Sequence, residues 1–167
     1  KHFGGGLPIS AVCTSTEIAT RASKNGYFAT RSHATDPLLC AAGEESINIV
    51  VEDDLPKRAR HIEKRIKEAF EEFAKEYELI GDIRGRGVLI GIELVENRKT
   101  KVPANTALSI IFDYCESKGL IFQKRGSRQM LNVIRLVPPM TTTDKELDQS
   151  LSILSDALKV ASKKSFK

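Results

Sequence analysis

The chain contains no tryptophan, and its 7 phenylalanines and 3 tyrosines are not interleaved with any basic stripe. Both absences argue against a nucleic-acid surface, which sets stacking platforms among cations. Cysteine is scarce as well. Cys13, Cys40 and Cys115 are odd in number and widely spaced, so neither a disulfide framework nor a zinc site is expected, and a reducing, intracellular compartment is favoured. No apolar run has the length of a membrane span, and no signal-peptide pattern stands ahead of Lys1. These absences lead to the expectation of a cytoplasmic protein with no membrane partner, a mitochondrial location being the alternative. Charge of neither sign dominates: the net value is +4, part of it from the tail Lys163 to Lys167, which reads as a solvated terminus. There is no internal repeat and no low-complexity segment. What is left is a globular composition, since 167 residues that are 41% hydrophobic and 29% charged suffice to bury one core.

The richest local signal is at the start, where Lys1 is followed by Gly4-Gly5-Gly6-Leu7-Pro8. A lysine beside a glycine-rich bend sits on backbone that can approach a bulky ligand closely, because glycine has no side chain and tolerates positive φ. One chemistry that uses such a lysine is a Schiff base with an aldehyde cofactor. The plain alternative is a solvated, mobile first residue.

Leu7 to Ser15 is a short apolar run after glycines and predicts a buried strand. Glu17 to Lys24 predicts a short helix ending before Asn25-Gly26. Asp36-Pro37 predicts a helix start, with the aspartate as N-cap and the proline at the first helical position, running to about Val51. From Pro56, the spacing of Ile62, Ile66, Phe70, Phe73 and Tyr77 predicts a long amphipathic helix. The chain changes character near Gly81. Val88 to Val95 predicts a strand, Ala107 to Cys115 a helix stopped by Gly119, and Leu120–Phe122 and Val133–Val137 two further strands around the basic loop Lys124-Arg125-Gly126. Thr143 with Glu146 forms a capping box for a last helix whose apolar face is Leu147, Leu151, Leu154, Leu158 and Ala161. The glycines of Gly85-Arg86-Gly87-Val88-Leu89-Ile90-Gly91 do not make a dinucleotide fingerprint: the spacing is one residue too long, and a strand follows where a helix should. They are read as allowing close strand packing.

Four stretches carry a family resemblance, and they occur in the family's order. Lys1 to Val12 resembles the cofactor-lysine segment of class III aminotransferases, pyridoxal-phosphate enzymes of fold type I. Ser32-His33-Ala34-Thr35-Asp36-Pro37-Leu38 is similar to that family's phosphate-contacting turn, Ile80 to Gly87 to the first strand of its small domain, and Asn132 to Pro139 to the segment with its carboxylate-binding arginine. Gly26-Tyr27, His33 to Leu38 and Arg98 to Ala104 most resemble 2,2-dialkylglycine decarboxylases. The resemblance implies an α/β fold, the C-terminal part of a pyridoxal-phosphate-dependent transferase. Residues 1–79 would be a remnant of the large domain with an interdomain helix, and residues 80–167 the small α/β domain. It also implies that the N-terminal half of the large domain lies upstream, in keeping with the lack of an initiator methionine. In the family that half supplies the acidic partner of the pyridine nitrogen, the ring-stacking aromatic and a glycine-rich phosphate cradle. A homodimer or higher oligomer is implied as well.

The implied roles fall on three residues. Lys1 would be the catalytic and cofactor-binding lysine for pyridoxal 5′-phosphate, shuttling protons at the substrate Cα once its ε-amine is free. Ser32 resembles the family's threonine that bonds the cofactor phosphate of the neighbouring subunit; here serine stands in its place, and Thr30 or Thr35 could compete. Arg135 would bind the substrate carboxylate. Its position is unusual on first principles, because on a strand Val133, Arg135 and Val137 share a face and the arginine interrupts an apolar row. Such a guanidinium needs an anion, either an internal carboxylate in a structural ion pair or a substrate carboxylate gripped by its planar fork. In decarboxylase-like members the aspartate matching Asp36 can help hold an alkali cation; the helix-cap reading is preferred, and no metal is expected. His33 is read as structural. The implied substrates are an amino acid or amine and a keto acid, with transamination or decarboxylating transamination of 2,2-dialkylglycines as the reaction. The rival is a non-catalytic fragment or interaction domain that keeps the fold, and the isolated chain is expected to be inactive.

Overall fold

The computed structural model describes residues 3–28, 32–125 and 132–165. They fall into two units, Lys1–Leu55 and Pro56–Lys167.

In the first unit, two helices form where their caps predict. Helix α1 (Thr16–Lys24) is capped by Ser15, whose hydroxyl accepts from the Ile18 N–H at 3.3 Å. Helix α2 (Pro37–Glu52) starts on Asp36, whose Oδ1 accepts from the Leu38 N–H at 3.2 Å, with the proline in the first turn. The strand expected over Leu7 to Ser15 is not formed. Those residues are irregular and mostly exposed, Val12 to 96%. A strand is stable only when a neighbour completes its ladder, and no strand stands among the described residues of this unit.

The second unit is built on α3 (Leu55–Glu76), followed by β1 (Ile80–Arg86), β2 (Leu89–Leu94), α4 (Asn105–Ser117), β3 (Gln123–Arg125), β4 (Val133–Leu136) and α5 (Asp144–Ser165). The strands form one antiparallel sheet in the order β1-β2-β4-β3. Ile90, Ile92 and Leu94 of β2 and Ile134 and Leu136 of β4 turn to the core. There they join Ile62, Ile66 and Phe70 of α3, Leu108 and Ile111 of α4, and Leu147, Leu154 and Leu158 of α5. Because α3 buries its apolar face in this core, the unit begins at Pro56, whereas the sequence reading placed the long helix with the first segment and the boundary after residue 79.

Of the glycines read as allowing close strand packing, Gly85 is crowded and Gly91 is not; Gly81, outside that reading, is crowded as well. A Cβ on Gly81 would stand 2.7 Å from both Cγ atoms of Val95, and one on Gly85 would stand 2.2 Å from the Leu89 carbonyl oxygen. The third expected strand is displaced: β3 starts at Gln123 rather than Leu120, because the Leu120 N–H is tied to the Cys115 carbonyl at 2.9 Å as part of the α4 terminus over Gly119 (φ +80°). The capping box forms, with the Thr143 N–H donating to Glu146 Oε2 at 2.8 Å and the Glu146 N–H to Thr143 Oγ1 at 3.2 Å.

Candidate functional site

Lys1 lies outside the described residues; the segment that follows it does not. The Gly4 carbonyl accepts from the Leu7 N–H at 2.9 Å, closing a tight bend, and a Cβ on Gly4 would collide with the Leu7 carbonyl oxygen and Ile9 Cγ2, both at 2.4 Å. Across from this bend, His33 (φ +65°) and Thr35 (φ +62°) both take up left-handed backbone, which bends Ser32 to Asp36 back to the start of α2. Positive φ at two non-glycine residues is uncommon and marks a turn held by its surroundings. Asp36 holds it from within: one oxygen caps α2 and the other faces His33 Nδ1 at 3.4 Å. With both oxygens engaged, Asp36 acts as the helix cap, and no metal-binding cluster occurs among the described residues.

The two segments line one recess of about 700 Å³, with Phe3, Pro8 and Ile9 on one side and Ser32 to Asp36 on the other. Its floor is α2, where Gly43 lets the chain approach: a Cβ there would meet Ile9 Cδ1 at 3.1 Å and Phe3 Cζ at 3.2 Å. Ser32 is exposed and borders the recess. The Thr35 hydroxyl, on the same lining, donates to the Ala34 carbonyl at 2.6 Å, and Thr30 lies outside the described residues. The lining offers the Ser32 hydroxyl together with the carboxylates of Asp36 and Glu44, and its described residues include no lysine or arginine.

In the second unit, Arg135 sits at the centre of β4, opposite Gly91 of β2 and Gln123 of β3. Its neighbours Ile134 and Leu136 are buried in the core, so strand alternation sets Arg135 on the other face of the sheet, half-buried. On that face β1 contributes Arg84, which donates to Asp82 and to Glu93 at 2.6 Å each. Those two hydrogen bonds, Asp82 first, push the Arg84 pKa further up. Beside β4 lies a cavity of about 400 Å³, lined chiefly by core-side residues such as Leu120, Leu136, Leu151 and Leu154. Arg135 is the one charged residue on its lining, so the cavity is an apolar space bordering the arginine rather than a polar pocket.

Sequence reasoning did not find three polar clusters. Arg58, His61 and Arg65 of α3 face Asp144 and Asp148 of α5; Arg58 Nη1 reaches Asp144 Oδ1 at 2.8 Å and His61 Nε2 reaches Asp144 Oδ2 at 3.0 Å. The guanidinium of Arg58, then His61, holds the Asp144 carboxyl below the usual carboxylate range. Arg98 donates to the carbonyls of Ile80 at 2.9 Å and of Ala74 and Tyr77, closing the C-terminal end of α3. Glu63 accepts from Lys67 at 2.7 Å and from the Gly87 N–H at 2.6 Å, tying the β1–β2 turn to α3. The i, i+3, i+7 spacing of 58, 61 and 65, matched by 144 and 148, was the available signal for the first.

In the first unit a polar turn and a glycine bend border one recess, and in the second unit Arg135 lies on the sheet face away from the core. The family model for "Aminotransferase class-III" matches residues 1–158. The chain belongs to the class III aminotransferases. It is 35% identical over 156 residues to a 5-aminovalerate aminotransferase of Pseudomonas aeruginosa, covering 93% of this chain and 36% of that protein. It is 33% identical over 148 residues to a mitochondrial alanine–glyoxylate aminotransferase 2 homolog of Arabidopsis thaliana, covering 89% and 30%. A phospholyase from Arthrobacter, solved with phosphoethanolamine, superimposes with a TM-score of 0.80 at 27% identity, covering 94% of this chain and 36% of that one. The chain thus spans about a third of the length of the relatives it matches. Pyridoxal 5′-phosphate is the cofactor of the family.

Proposed function

We propose that this chain is the C-terminal part of a longer pyridoxal-phosphate-dependent aminotransferase. Its reaction in this reading is amino-group transfer between an amino acid and a keto acid, in the decarboxylating variant that takes 2,2-dialkylglycines. What supports the reading most is that Arg135 stands away from the core on an otherwise apolar strand, inside a family whose members bind amino and keto acids. The upstream part of the family's large domain and a second subunit complete the site.

When bound, the cofactor supplies an electron sink for the bond broken at the substrate Cα. Lys1 would anchor it through the ε-amine and, with that amine free, would take and return the proton at Cα. That work would need the neutral amine, and so a lysine pKa lowered by desolvation or neighbouring cations. The Ser32 hydroxyl would donate to the phosphate of the neighbouring subunit's cofactor. Arg135 would grip the substrate carboxylate through two parallel hydrogen bonds and so hold the orientation of the bonds at Cα. Loss of the Cα proton would lead to transamination, and loss of the carboxylate to decarboxylation. Residues upstream of Lys1 make that choice.

The rival, a fragment that keeps the fold without chemistry, has one observation on its side: no apolar side chain of the first unit is buried among its described residues. The isolated chain is accordingly expected to show no turnover. The test is product balance in the longer polypeptide, given 2-aminoisobutyrate and a keto acid. One carbon dioxide and one ketone per amino acid formed supports the decarboxylating reading. Amino transfer without carbon dioxide reduces it to simple transamination, and no transfer in the presence of cofactor removes the proposal.

A further inference from the structure

Three glycines lie within the paired strands β1 and β2, and two of them are explained by space. Gly81 and Gly85 have no room for a Cβ, which would approach Val95 to 2.7 Å and the Leu89 carbonyl to 2.2 Å. Gly91 differs from both. A Cβ there would meet Val133 Cγ1 at 3.4 Å and the Arg84 carbonyl oxygen at 3.9 Å, both ordinary contacts, and Gly91 is not among the residues with positive φ. Glycine inside a strand weakens it, and where neither crowding nor backbone conformation requires one, a remaining reason is the close approach of another group.

The register says where that group would lie. Gly91 is opposite Arg84 on one side and Arg135 on the other, so all three share one row across the sheet. Directly opposed residues place their Cβ atoms about 4.5–5.5 Å apart, so any side chain at 91 would stand against the stems of both arginines. Arg84 is turned to Asp82 and Glu93. Between the arginines the sheet carries no side chain at 91 itself, and Val133 Cγ1 is the side-chain atom that comes nearest, 3.4 Å from where a Cβ would stand.

We propose that Gly91 is a specificity-determining residue: the space above it receives the carbon skeleton of the carboxylate that Arg135 binds, and admits a skeleton branched next to the acid group. The inference rests on the reading of Arg135 as a carboxylate binder. A side chain at 91 fills that space without touching the guanidinium fork, so it discriminates by bulk rather than by charge.

The test is a calorimetric titration of the longer polypeptide, loaded with pyridoxal 5′-phosphate, with propionate and with pivalate. Gly91→Leu is expected to weaken pivalate by about tenfold or more and propionate by less than about threefold, with Gly91→Ala between the parent and that variant. Gly91→Ala is also expected to melt no lower than the parent. Equal loss for the two carboxylates, no loss for either, or a lower melting temperature for Gly91→Ala assigns the glycine to packing and overturns the proposal. Arg135→Lys separates the two levels. If binding to the parent is absent, or present and insensitive to Arg135→Lys, the carboxylate role of Arg135 fails and this inference with it. If binding depends on Arg135 but ignores residue 91, only this inference fails.

Discussion

The two units spend their apolar residues differently. In the second, α3 places Ile62, Ile66 and Phe70 on one stripe and charges on the rest, and every residue of that stripe is buried. In the first, α2 carries Leu38, Leu39, Ile47, Ile49, Val50 and Val51 around its circumference, yet Gly43 is its one buried residue. A helix that is apolar on all sides belongs inside a larger body, whereas a one-sided stripe finishes its core against a single sheet. The difference separates a unit that buries most of its apolar residues from one that leaves most of them exposed.

The sharpest way to break this comparison is to cut the same kind of side chain from each unit. Phe70→Ala, which also removes an edge-on contact with Phe73 at 5.4 Å between ring centroids, is expected to cost about 3–5 kcal/mol in denaturant unfolding. Leu38→Ala, at a residue 69% exposed, is expected to change the same transition by less than about 0.5 kcal/mol. Similar losses from the two would mean that the first unit has a core of its own. A smaller effect is expected at the end of α3: Arg98→Ala leaves the carbonyls of Ala74, Tyr77 and Ile80 without their charged donor, at about 1–3 kcal/mol, and Arg98→Lys restores only part of it. An unchanged midpoint would remove Arg98 from the account of how α3 joins the sheet.

Much of this was readable from short-range signals. Asp36-Pro37, the Thr143–Glu146 box and the stripes of α3 and α5 each depend on neighbours within a few residues, and all formed where expected. The strand over Leu7 to Ser15 was misread because its apolar run states only that it wants burial; whether it becomes a strand depends on a partner, and none stands among the described residues of its unit. The packing of α3 in the second unit was not legible for a related reason, since periodicity gives the buried face of α3 but not the body it is buried in. Of the candidate site, the place of Arg135 on the face away from the core was legible from strand alternation. The row that Gly91 shares with Arg84 and Arg135 was not, because it appears only with the strand register.

The smallest expected effect concerns the clamp between α3 and α5. The Asp144 carboxyl is held below its ordinary pKa of 3.8 by Arg58 and then His61. A carboxylate depressed in the folded state contributes stability that is present above its unfolded pKa and is lost as pH falls through the folded one. The urea midpoint is therefore expected to be insensitive to Asp144 titration above about pH 4 and to drop below it, and Asp144→Asn should flatten that acid limb. An acid limb of the same steepness in Asp144→Asn would assign the drop to other carboxylates.

The central claim is that Lys1 anchors the cofactor, and peptide mapping tests it most directly. The longer polypeptide is loaded with pyridoxal 5′-phosphate, reduced with borohydride and digested. The account predicts a phosphopyridoxyl group on the ε-nitrogen of Lys1 and its loss in Lys1→Ala. A label on another lysine, or none, would contradict it.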